Sequence, residues 1–130
     1  YVVDVRQSLH FTQVFKTLVA LVDGRDGQAV VAIVPVEGQC DLKALASAAG
    51  GRRAEMADPS TAQRLTGYVV GGISPLGQKR HLPTFVDTSA EGFDVVYVSG
   101  GRRGLDVGLA PADLLDLTDG TYVAIARFKS

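Results

Sequence analysis

Two runs of β-favouring residues, VFKTLVALV (14–22) and QAVVAIVPV (28–36), flank the polar pentapeptide DGRDG. Gly24 and Gly27 in that pentapeptide can take positive φ, so the three segments together predict a hairpin. Asp41 then precedes Leu42, Leu45, Ala46 and Ala49 at helical spacing, with Gly50 and Gly51 behind them, which predicts a short capped helix. A second helix is signalled by DPSTAQRLTG, where Asp58 is the cap, Pro59 the first helical residue and Gly67 the position just past the end. YVVGGI (68–73) reads as a strand running into a loop. TFVD (84–87), VVYVSG (95–100) and LDVGL (105–109) read as further strands, with a short turn or helical piece after the first of these. PADLLDLT (111–118) reads as a helix and TYVAIARF (121–128) as a last strand. Helices and strands interleave without an internal repeat. The expected class is α/β, one domain across residues 1–130 with helices flanking a sheet that hairpins force to be mixed.

Composition narrows the function classes more than the fold. The chain has 130 residues, 46% of them hydrophobic, enough for one proper core and too few for two. No apolar run approaches the roughly 20 residues that cross a bilayer. Cys40 is the single cysteine, so an internal disulfide or a multi-cysteine zinc site is excluded. A cytoplasmic protein without membrane contact is the expectation. The formal net charge of −1 argues against DNA or RNA binding driven by overall charge, because phosphate neutralisation dominates such affinity. Any RNA contact must be local.

Several familiar chemistries fail on inspection. In GGISPLGQK, Gly72 and Gly77 have P-loop spacing, but Gln78 intervenes before Lys79 and no Ser or Thr follows to hold magnesium. SGGRRG (99–104) is not the dinucleotide fingerprint. The only histidines are His10 and His81, too few for a histidine-rich metal site, and no G-x-S-x-G elbow occurs. His81 in QKRHLP reads as a solvated loop residue. Cys40 reads as a small apolar space-filler where the first helix begins, in preference to a nucleophile. No cofactor or metal is expected, and a conventional nucleophile and base are missing.

The stretch GYVVGGISPLGQKRHLPTFVD (67–87) resembles the signature segment of the YbaK family of tRNA-editing deacylases. VFKTLV (14–19), AEMADPSTAQRLTG (54–67) and VYVSGGRRGLDVGLAPADL (96–114) agree in the same order, so the similarity runs from about Val14 to the C-terminus. The resemblance implies a mixed, partly barrel-like sheet and cleavage of the ester between an amino acid and the 3′ end of tRNA. Cysteine on proline tRNA is the main substrate it implies, alanine on the same tRNA the alternative, and prolyl-tRNA synthetase a partner that lends tRNA specificity. It places the family's key lysine on Lys16 with Thr17 beside it, the glycine pair on Gly71 and Gly72 with Ser74 following, and later pocket residues on Ser99 and Asp106. One departure stands at the front. The resemblance implies a strand, a loop and a helix ahead of the lysine, yet fifteen residues precede Lys16, so that segment is expected to be incomplete near Arg6 and Gln7.

Each of these residues has a competing structural account. Alternation puts Lys16 with Val14, Leu18 and Ala20 on an apolar face, where an ammonium must snorkel to water or enter a polar cavity. With the resemblance, Lys16 is expected to grip the phosphate or ribose of the terminal adenosine. Gly71 and Gly72 let substrate approach the backbone and offer an N–H to a developing oxyanion, or else form a plain bulge. Asp106 shares its face with Gly108 and suits a substrate ammonium as well as it suits a solvated surface. Ser74 and Ser99 are hydroxyl donors or ordinary turn serines. Lys79, Arg80, Arg102 and Arg103 form two basic pairs on glycine-rich loops, expected to face RNA with a weak, salt-sensitive grip. A module that keeps the scaffold and binds tRNA or a synthetase without turnover is the rival function.

Overall fold

The computed structural model describes residues 13–24 and 28–128, together with the backbone of Val2–Val3. Gly27 of the hairpin loop, His10, and the expected shortfall near Arg6 and Gln7 lie outside the described residues.

The long apolar runs form the centre. β2 (Phe15–Val22) and β3 (Ala29–Pro35) pair antiparallel from Phe15↔Pro35 to Leu21↔Ala29, as the hairpin reading expected. β5 (Ala54–Met56) adds antiparallel to β2, while β6 (Thr84–Asp87) lies parallel to β3 and β9 (Thr121–Val123) parallel to β6. The result is a mixed five-stranded sheet in the order β5-β2-β3-β6-β9.

This sheet is buried on both faces. Phe15, Val19, Val31, Ile33 and Val86 point into the larger core with Ala62, Leu65 and Leu114, whereas Ala20, Val22, Val30, Ala32 and Val34 point into a second core with Leu45 and Ile125. Helix α1 (Leu42–Ala48) therefore covers one face, and α2 (Pro59–Thr66) and α3 (Pro111–Thr118) the other. The caps are those the sequence signals. The Asp41 carboxylate accepts from the Ala44 N–H and that of Asp58 from the Thr61 N–H, and Gly67 closes α2 at φ +84.

A second, antiparallel sheet is formed by β7 (Val96–Arg102), β8 (Leu105–Leu109) and β1 (Val2–Val3), in the order β1-β8-β7. It meets the first beside the start of β2, through a parallel bridge between Val14 and Tyr97. The sheets are not closed into a barrel, which corrects the partly barrel-like expectation: β4 (Gln39–Cys40) and β10 (Ala126–Arg127) pair only with each other.

Two sequence readings are corrected here. YVVGGI is not a strand: the Gly72 N–H returns to the Val69 carbonyl at 2.9 Å and the Tyr68 hydroxyl donates to the Leu76 carbonyl at 2.6 Å, which winds the segment into a loop. Val69 and Val70, the source of its β-propensity, stand 64% and 50% exposed. TYVAIARF is two strands in two sheets, because the Asp87 carboxylate accepts the N–H groups of Ile125 and Ala126, both at 2.9 Å, and bends the chain between them. Among the described residues no helix is long and apolar enough to cross a membrane.

Candidate active site

Where the second sheet approaches β2, a cavity of about 560 Å³ opens. Its wall includes the consecutive residues Val14–Val19. Side chains of a strand alternate between faces, so a cavity that touches every residue runs along an edge of β2. Thr17 shares its face with Phe15 and Val19 of the larger core, and Lys16 shares its face with Leu18 and Ala20 of the second. The two neighbours thus flank the edge from opposite sides. Lys16 is half-buried, and its charge reaches the Cys40 thiol.

The opposite wall comes from the β7–β8 hairpin. Ser99 and Asp106 are paired across it, both line the cavity, and the ladder is irregular between Ser99 and Arg102. That irregularity carries Arg102 and Arg103 onto the rim beside Gly104. The Ser99 hydroxyl accepts from the Gly101 N–H at 3.2 Å, which fixes its oxygen against the bend.

The loop after α2 closes the site. Gly71, at φ +97, lines the cavity, and a Cβ placed on it would stand 2.9 Å from Nη2 of Arg103. The absence of a side chain here gives the guanidinium its resting place across the turn. Gly72 plays a different part. A Cβ on it would meet the Arg102 Cα at 2.7 Å, and its N–H is held by Val69, so its backbone is packed against protein and does not line the cavity. Gly71 N–H has no hydrogen-bond partner among the described residues.

Of the residues singled out from sequence, the cavity brings together Lys16, Thr17, Gly71, Ser99, Asp106, Arg102 and Arg103. Gly72, Ser74, Lys79 and Arg80 lie outside its wall. Ser74 is buried, its hydroxyl accepting from the Leu76 N–H at 3.1 Å, while Arg80 lines a separate hollow with His81 and Leu117. Sequence reasoning did not single out the apolar floor formed by Phe15, Val19, Ala62 and Ile73, nor the exposed Met56 and Val70 at the mouth. These are ordinary core-type and surface-type residues locally. No spacing marks them.

The remaining nucleophile and base candidates are out of reach. Burial, reinforced by Asp41, pushes the Cys40 thiol up to about 11, so it stays protonated near neutrality, and Cys40 is not on the cavity wall. His81 is exposed and lies 3.4 Å from the Asp119 carboxylate, also away from the cavity. The site therefore holds cations, hydroxyls, a carboxylate and a backbone N–H around an apolar floor, an arrangement that can position an ester and a charged amine without supplying a conventional nucleophile.

The chain matches the aminoacyl-tRNA editing domain family over residues 2–117. It is 39% identical over 113 residues to EbsC of Enterococcus faecalis (strain ATCC 700802 / V583), a protein named for Cys-tRNA(Pro)/Cys-tRNA(Cys) deacylation, covering 87% of this chain and 68% of that one. It is 36% identical over 114 residues to ProXp-y of Escherichia coli (strain K12), named as a multifunctional Ser/Thr-tRNA deacylase, with 86% and 68% covered. A solved structure named as a trans-editing enzyme for prolyl tRNA synthetase superposes with a TM-score of 0.83 at 26% identity, over 91% of this chain and 73% of that one.

Proposed function

Because the chain belongs to the aminoacyl-tRNA editing domain family, we propose that it is a trans-editing deacylase that frees a wrongly attached amino acid, cysteine foremost, from proline tRNA. The observation that carries this reading is the convergence of Lys16, Gly71, Ser99 and Asp106 on one cavity of about 560 Å³, within the size range of small-ligand sites. In it, Lys16 holds the ribose or phosphate of the terminal adenosine by charge-assisted hydrogen bonds. The Gly71 N–H faces the ester carbonyl and receives the charge that develops on its oxygen, whereas the N–H of Gly72 is already committed to Val69. Asp106 attracts the α-ammonium of the misloaded amino acid, and Ser99 adds a hydroxyl beside it.

The chemistry is substrate-assisted. With Cys40 protonated and off the wall, the nucleophile is the thiol of the substrate cysteine. Its sulfur bonds to the carbonyl carbon, the ester C–O bond breaks, and the proton given up by the thiol ends on the released ribose oxygen; the products are free tRNA and a cyclic thiolactone. The protein contributes positioning and electrostatic stabilisation. Water oriented by the ribose hydroxyl is the competing nucleophile, and it is the route open to serine and alanine, which have no thiol.

The rim extends the reading to RNA. Arg102 and Arg103 flank the mouth and are placed to meet the phosphates that follow the adenosine. Two cations give a weak grip, so selection of proline tRNA falls to a partner, prolyl-tRNA synthetase being the one the family relationship favours.

The test is to incubate the protein with proline tRNA charged with cysteine, with alanine or with serine and to follow released amino acid. Rapid release from cysteine-charged tRNA is expected. Binding of all three without turnover would show a non-catalytic module instead, and equal rates on cysteine and serine would remove the thiol route while leaving the deacylase.

A further inference from the structure

Thr17 is 8% exposed, and its Oγ1 is buried without a hydrogen-bond partner among the described residues. A buried hydroxyl in this condition is unusual and costly, and it is stable only where the surroundings hold it or where a ligand completes it. Its neighbours point to the second explanation. Thr17 stands on the cavity wall between Phe15 and Val19 on the same face of β2, where the wall is otherwise formed by Ala62 and Ile73. The hydroxyl oxygen is itself shut off from the cavity space as the side chain stands, and the apolar side chains beside it on the wall offer it no partner.

We propose that Thr17 is a specificity-determining residue that reads the β-substituent of the misloaded amino acid, pairing its hydroxyl with the oxygen of serine or the sulfur of cysteine and finding nothing to pair with on alanine. The inference rests on the deacylase reading above, and it adds which part of the substrate this end of the cavity recognises. The geometry of β2 supports the direction. Lys16 and Thr17 flank one strand edge and line the same cavity, so an ester held beside Lys16 can turn its amino-acid side chain toward Thr17. A turn of the Thr17 side chain about χ1 exchanges its methyl for its hydroxyl at the cavity surface, a rotamer change that the branched Cβ permits without moving the backbone. An oxygen partner gains more from this pairing than a sulfur, because S–H is a weak donor and sulfur a weak acceptor. Serine is therefore the substrate on which the effect is largest, whatever the absolute rate on cysteine.

The experiment compares the native protein, Thr17→Val and Thr17→Ser on proline tRNA charged with serine, cysteine or alanine, reading kcat/KM for each. Valine keeps the shape and deletes the hydroxyl, and serine keeps the hydroxyl. Thr17→Val is expected to lose at least about tenfold on serine-charged tRNA and to stay within about twofold on alanine-charged tRNA, while Thr17→Ser keeps the native serine-to-alanine ratio. Thermal melting of each variant establishes that the fold is retained. Equal losses of Thr17→Val on all three substrates, an unchanged serine-to-alanine ratio, or a native protein that releases cysteine and alanine but leaves serine attached would each overturn the inference while the deacylase reading stands. A native protein that releases none of the three fails the deacylase reading itself, and the inference falls with it.

Discussion

Gly72 and Arg102 touch backbone to backbone: the Cβ that Gly72 lacks would lie 2.7 Å from the Arg102 Cα and 3.0 Å from its carbonyl carbon. The loop after α2 and the β7–β8 hairpin are therefore fastened together directly behind the cavity mouth. Gly71 and Gly72, adjacent in sequence, divide into a cavity-lining residue and a packing residue.

This division gives opposite expectations for two alanine substitutions. Gly72→Ala meets main chain, which cannot step aside, and is expected to lower stability by about 1–3 kcal/mol in denaturant titration. Gly71→Ala meets the tip of the Arg103 side chain, which can move, although its φ of +97 adds strain. The loss expected for Gly71→Ala falls mainly on kcat of deacylation. A Gly72→Ala protein as stable as the native one would show that the two segments separate freely.

Lys16→Ala removes the cation at the edge of β2. Deacylation is expected to fall by about 100-fold or more, with the melting temperature changed little, because the lysine is half-buried and its hydrocarbon stem is replaced by a methyl on the same face. Retained activity would move the substrate's anchor elsewhere.

Neutralising the rim tests the RNA contact by its salt dependence. Replacing Arg102 and Arg103 by alanine is expected to weaken binding of the charged tRNA and to flatten its log–log salt dependence by about 1.4, from about 0.7 per phosphate contact on single strands. Replacing Lys79 and Arg80, which do not line the cavity, is expected to change that slope less. A larger change from the second pair would place the RNA on the other side of the loop.

Cys40 provides a pH-dependent reading. Its thiol is raised from 9.0 to about 11 by burial first and Asp41 second. A raised thiol pKa means that the folded protein holds its proton where the unfolded chain has begun to lose it. The stability from this group is complete below about pH 9 and is lost as pH climbs from there through about 11. At pH 8 iodoacetamide is expected to alkylate the folded protein at least about tenfold more slowly than the unfolded chain, since the thiolate is the nucleophile.

Asp87 carries the last expectation. Its carboxylate accepts from Ile125 and Ala126 through one oxygen and from Ser89 through the other, so Asp87→Ala orphans a buried N–H 38 residues away and a partly buried one 39 residues away. A loss of about 2–4 kcal/mol is expected by denaturant titration. Asp87→Asn, which can accept but carries no charge, is expected to lose less.

What the sequence disclosed follows the range of the interactions involved. The β2–β3 hairpin and the caps at Asp41, Asp58 and Gly67 are local chemistry, and they stand where residue type and spacing place them. Val69 and Val70 misled because β-propensity reflects packing on a pleated surface, and here a Gly72–Val69 hydrogen bond turns the chain before any strand can pair. The break in the last strand depends on Asp87, a residue whose own neighbourhood gives no sign of Ile125. β4, β5 and β10 are two or three residues long, below what any periodicity resolves. In the site, Lys16, Gly71, Ser99 and Asp106 were reachable through the family resemblance, whereas the orphaned Thr17 hydroxyl and the Gly72–Arg102 contact exist only once distant segments have met.

The double-sided burial of the central hairpin has a consequence for folding fidelity. Strand pairs usually keep their alignment because one face is greasy and the other wet, and a slip by one residue exposes the error. β2 and β3 are apolar toward both cores, so most of their length would tolerate such a slip. Lys16 and Thr17 would not: shifting β2 by one turns the ammonium into the larger core toward Ile33, Ala62 and Leu65 and the hydroxyl toward the second core. Lys16, the residue proposed to hold the substrate, thus also proofreads the alignment of its own strand.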